Sequence, residues 1–98
     1  MSWSEWYDNS MKNPKQLERY CKGVANHWRI AILALVGKYD GMTAEQIADE
    51  LGGSIKTISQ HTKVLVNAGL LNKSYVGRSV SHSLSPYGKR FLRFLRRF

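Results

Sequence analysis

Lys56, Gln60, Lys63 and Asn67 recur every three or four residues between Ser54 and Gly69. On a helix that spacing places them on one side. Ammonium and amide groups so arranged can neutralise phosphates and hydrogen-bond base edges. Thr57 and Ser59 flank them with short hydroxyl side chains that permit close approach. An ordinary solvated helix is the competing explanation, but such helices usually mix Glu with Lys at i,i+4, and no acid occurs here. Other chemistry is poorly supplied. Cys21 is the only cysteine and has no base at an interpretable spacing, the acids are scattered, and no Gly-rich phosphate loop precedes a helix. An enzyme is not expected, nor a cofactor. His27, His61 and His82 fall on three different elements without ligand spacing, so packing or hydrogen bonding is expected of them rather than metal binding.

The elements that would position this stripe are marked by caps. Ser54 can accept a bond from a free N–H of the first turn, and Gly69 can take the left-handed conformation that closes a helix. Ile55, Ile58, Thr62 and Leu65 form its inward side. Upstream, Asn13-Pro14 opens a helix to about Lys22, with Leu17, Tyr20 and Cys21 inward, and Gly23 loosens or ends it. Asn26 caps a second helix, His27 to about Lys38, apolar nearly all round and so expected at the centre. Tyr39 to Met42 reads as a turn. Thr43 and Gln46 form a capping box for a helix from Ala44 to Leu51. Gly52-Gly53 bends the chain into the Ser54 helix, giving a helix-turn-helix unit. After Gly69 the period becomes two. Leu71, Lys73 and Tyr75 alternate with Asn72, Ser74 and Val76, then Gly77-Arg78-Ser79 turns a hairpin and Val80, His82 and Leu84 face one way. Ser85-Pro86 caps a last helix with Phe91, Leu92, Phe94, Leu95 and Phe98 on its apolar side. The fold class expected is α+β, mostly α: about five helices and a two-stranded hairpin wing, in one domain over residues 1–98.

Charge is distributed unevenly. The net charge is +8, yet residues 1–53 hold six Lys/Arg against seven Asp/Glu, whereas residues 54–98 hold nine Lys/Arg and no acid. An acid-free half that begins at the stripe is the footprint of a polyanion-binding face. Nucleic acid leads, and an anionic membrane surface comes second. No apolar run approaches the roughly 18 residues of a membrane span, and the N-terminus lacks the basic-then-apolar order of a signal peptide. The cytoplasm is the expected compartment.

The order of elements resembles a winged helix-turn-helix domain, and more narrowly the ArsR-type family of small dimeric repressors. The match is carried by Ala25 to Leu33, Thr43 to Ala48, Ser54 to Leu65, Ala68 to Leu71 and Gly77 to Val80. The resemblance implies that the Ser54 helix enters the major groove and the wing approaches the backbone or minor groove. The DNA face then comprises Ser54, Lys56, Thr57, Ser59, Gln60, Lys63, Lys73 and Arg78. It also implies a homodimer built by the first and last helices. Trp3, Trp6, Tyr7, Tyr20, Phe91, Leu92, Phe94, Leu95 and Phe98 would supply that interface. The sensing residues of the family do not carry over. Gly41 to Glu45 offers no thiolate, Pro86 to Phe98 contains no Asp, Glu or His, and a thiol switch needs a second cysteine. His27 also stands where the family often has Pro. The expected function is therefore a metal-independent repressor that binds double-stranded DNA at a pseudo-palindromic operator. The alternatives are a protein–protein module in a transcription assembly and a basic membrane-surface protein.

Overall fold

Each helix begins where the sequence places a hydrogen-bond acceptor in front of it. In the computed structural model, which describes residues 11–98, helix α1 (Pro14–Val24) follows Asn13, and Asn13 and Gln16 bond each other's backbone N–H reciprocally. Helix α2 (His27–Lys38) starts with Asn26 accepting from the N–H groups of Trp28 and Arg29. Helix α3 (Ala44–Leu51) opens on the Thr43–Gln46 capping box. Ser54 caps α4 (Ile55–Asn67) and Ser85 caps α5 (Pro86–Arg97). The far end of α4 closes as a Schellman motif: Leu70 N–H donates to Leu65, Gly69 N–H donates to Val66, and Gly69 has φ +83°.

The sheet has three strands rather than two. Strand β1 (Met42–Thr43) pairs antiparallel with β3 (Ser79–Leu84), which pairs antiparallel with β2 (Leu71–Val76), in the order β1-β3-β2. The expected turn at Tyr39–Met42 therefore ends one residue early. Two residues are too few for alternation to appear in the sequence; β1 exists because β3 offers Met42 and Thr43 a free edge. At the wing tip Val76 pairs with Ser79, so the turn is Gly77-Arg78 alone. Gly77 has φ +63° and Arg78 does not have positive φ, the pattern of a two-residue II′ hairpin.

The core is made by α2, α3, α4 and the chain after Gly69. Ile32, Leu33, Val36, Ile47, Ile58, Leu65, Leu70 and Leu71 are fully buried together. Four expectations about this packing need correction. Gly23 lies inside α1 rather than ending it, because α1 crosses α4 there: a Cβ on Gly23 would stand 2.4 Å from that of Ala68. Cys21 is exposed, one position off the side that buries Tyr20 and Val24. Ile55 is 48% exposed, since the first turn of α4 projects past the helices packed beneath it. Helix α2 is central but not enclosed, with Ile30 and Ala34 on the surface. Trp3, Trp6 and Tyr7 lie outside the described residues.

Candidate nucleic-acid interface

Helix α4 buries Ile58, Thr62 and Leu65, and the opposite side must therefore face outward. Lys56, Gln60, Lys63 and Asn67 are all exposed there, as are Ser54 and Ser59, while Thr57 is half-buried. Two of the short side chains are already engaged. Ser54 Oγ accepts from the Thr57 N–H at 3.2 Å and donates to Thr57 Oγ1 at 2.9 Å. Their hydroxyls order the first turn as well as face outward, so they differ from the ends of Lys56, Gln60 and Lys63, which have no hydrogen-bond partner among the described residues.

The wing continues this surface. Between α4 and the hairpin lies an open groove of about 530 Å³ lined by Ser59, Lys63, Asn67, Lys73, Arg78 and His82 among others. Lys63 reaches it from the helix, Lys73 from β2 and Arg78 from the turn, so the structure brings these three cations to one groove. Among the described residues Glu45, in the first turn of α3, is the only carboxylate in its lining. His82 forms part of the floor: it is buried, and its Nδ1 donates to the Met42 carbonyl at 3.0 Å, which anchors β3 to β1. That is the packing role expected of it.

Some exposed groups on this side were missed by reading the sequence for charge. Val64 stands on the outer surface of α4 one turn after Gln60, and Tyr75 and Val76 are exposed near the wing tip. An apolar contact of this kind suits a thymine methyl, and the signal that would have revealed it is an apolar residue out of phase with the core positions. The other flank of α4 carries a contact between two helices. There Arg29 Nη1 donates to His61 Nδ1 at 3.2 Å, and Arg29 Nη2 donates to the Lys22 carbonyl at 3.3 Å. Burial, then Arg29, then His27 hold the His61 pKa below its usual value. Among the described residues no three His, Cys, Asp or Glu side chains gather as a metal site, and no helix is long and apolar enough to cross a membrane.

The residues expected at a dimer interface fall into two groups. Tyr20 and Leu92 are buried within the chain itself, Tyr20 with its ring 5.1 Å from that of Tyr87. Phe91 and Leu95 are half-buried against the core. Phe94 is 57% and Phe98 98% exposed, and edge-to-face contacts join Phe91, Phe94 and Phe98 into one aromatic ridge.

Residues 24–74, just over half of the chain, match the helix-turn-helix domain family. HlyU from Vibrio cholerae is similar at 26% identity, with a TM-score of 0.79 over 88% of this chain and 94% of that chain. A possible transcriptional regulator for arsenical resistance is 30% identical, with a TM-score of 0.68 over 79% of each chain. The chain belongs to the ArsR-type winged helix-turn-helix family. The family is one of transcriptional regulators rather than enzymes. The fold is also that of a homodimeric winged helix-turn-helix DNA-binding domain from Mycobacterium bovis, 24% identical, with a TM-score of 0.77 over 84% of this chain and 76% of that chain. No curated protein sequence matches significantly. The matched region runs from the end of α1 into β2. It takes in the whole helix-turn-helix unit and leaves out the β3 return of the wing and all of α5.

Proposed function

We propose that this ArsR-type chain is a sequence-specific, metal-independent repressor that binds duplex DNA as a homodimer. Its operator is pseudo-palindromic, and repression follows from occupying promoter DNA. One observation carries the reading: the outer side of α4 is exposed and free of acid, and it continues into a groove where Lys63, Lys73 and Arg78 converge. A convex helix flanked by a cationic wing suits a major groove bordered by phosphates. Gln60 and Lys56 then read base edges, while Lys63, Lys73 and Arg78 hold the backbone. A relative described as a possible transcriptional regulator supports the same assignment. The aromatic ridge of α5 supplies the surface for a second copy, as the homodimeric Mycobacterium bovis domain suggests.

The test is a titration of three partners at two salt concentrations: random duplex, duplex enriched by binding selection, and anionic vesicles. Selection of a short palindrome, with affinity falling steeply as salt rises, is the expected result. Equal affinity for every duplex, or tighter binding to vesicles, would refute the assignment.

A further inference from the structure

The Arg29–His61 contact has a chemical consequence set by donor count. A guanidinium has only N–H donors, so the nitrogen that meets it at 3.2 Å must be the acceptor. His61 Nδ1 is therefore unprotonated, and a neutral ring must carry its hydrogen on Nε2. His82 is held the opposite way, with Nδ1 donating to the Met42 carbonyl. His61 lies half-buried on the flank of α4 away from the wing groove, about 100° around the helix from Gln60. Nε2 has no hydrogen-bond partner among the described residues.

The surroundings of this pair are cationic. Burial is the first thing to oppose a charge on His61, and helix α2 adds Arg29 and then His27, which oppose it as well. From α1, the Lys22 carbonyl accepts from Arg29, and the Lys22 ammonium is occupied by Glu18 at 2.8 Å. Among the described residues no carboxylate shifts His61. Protonating Nδ1 would set two N–H groups and two positive charges against each other. Arg29 is itself fixed in place: two of its nitrogens are bonded, and its Nε is buried without a partner among the described residues.

We propose that Arg29 is a positioning residue for the DNA-facing helix: its Nη1–H fixes the His61 ring with the hydrogen on Nε2, so that the flank of α4 offers a DNA phosphate an oriented N–H donor. This rests on the DNA-binding reading above. Its consequence is that His61 gains a charge at lower pH with Arg29 in place than without it.

Two measurements test it. Long-range proton–nitrogen correlation NMR of the free wild-type protein should show neutral His61 as the Nε2–H tautomer, titrating below the ordinary imidazole value. An Nδ1–H tautomer, or titration at the ordinary imidazole value, overturns the proposal without reference to DNA. The second measurement is the salt dependence of duplex binding at pH 8 and pH 5.5 for wild type, R29M and R29M/H61Q. In R29M the freed ring gains a charge on acidification, which should steepen the slope of log affinity against log salt by about 0.9. That increment should be smaller in wild type and abolished in R29M/H61Q. An R29M slope that stays flat with pH, or an increment that survives in R29M/H61Q, overturns the role of Arg29. Wild type that binds no duplex, with His61 still the Nε2–H tautomer, instead removes the DNA-binding reading beneath it.

Discussion

Side chains on the outer surface of α4 and the wing divide by what their ends can reach. Gln60 offers a donor and an acceptor at one end, as paired readout of a base edge requires. Lys63 and Arg78 present point or forked charges in the open groove between α4 and the wing. Q60A should cost about 1–3 kcal/mol on the selected duplex and relax preference at one position. K63A and R78A should instead weaken binding to every duplex and each flatten the salt slope by about 0.9. Competition binding against single-base variants at several salt concentrations separates the two. Uniform losses for all three variants would contradict the division. His61 gives a separate expectation for stability. Folding lowers its pKa, so on acidification the unfolded chain takes up that proton first. The contribution is complete above about pH 6.5, the unfolded value, and is lost as pH falls through the lower folded value. Wild type should therefore lose more stability than H61Q between pH 7 and pH 5, read as the shift in urea midpoint. Equal shifts would show that the ring titrates alike in both states.

At the scale of elements, α4 is held by its two ends and by the corner that follows it. S54A removes the acceptor for the Thr57 N–H and should cost about 0.5–2 kcal/mol in unfolding free energy, with the fold unchanged. The corner is tighter. Ser85 Oγ donates to the Gly69 carbonyl at 2.6 Å and accepts from the Gly88 N–H, and a Cβ on Gly88 would stand 2.0 Å from the Leu70 carbonyl oxygen. That neighbour is backbone and does not rotate away, so G88A should destabilise by about 1–3 kcal/mol or more in chemical denaturation. The helices were legible in the sequence because their caps are local: Asn13, Asn26, Thr43, Ser54 and Ser85 all cap as read. Strand β1 was not legible, because a two-residue strand is defined by its partner in β3, some forty residues away. The exposure of Cys21 and Ile55 was missed for a related reason. Helical periodicity gives the apolar side but not where the packing neighbour stops. For the candidate site, residue type and charge indicated Lys56, Gln60, Lys63 and Arg78, whereas pairing of Arg29 with His61 joins residues from two helices that no local pattern connects.

For the whole molecule, the distribution of exposed groups sets two surfaces against each other. One is the cationic helix and wing; the other is the aromatic ridge of α5, where Phe94 and Phe98 have little to cover them among the described residues. A second copy packed on that ridge would double the DNA contacts by linking two recognition helices. F94E should leave the helical signal intact, shift sedimentation towards monomer, and weaken operator binding by about 10²–10⁴ as the benefit of linkage is lost. A dimer of undiminished affinity in F94E would place the interface elsewhere. The decisive measurement is hydroxyl-radical footprinting of wild type on the selected duplex. Two copies related by a twofold axis should protect two patches on one face of the DNA, centred about 34 Å apart. A single protected patch, or protection spread evenly along the duplex, would contradict paired insertion of α4 into successive major grooves.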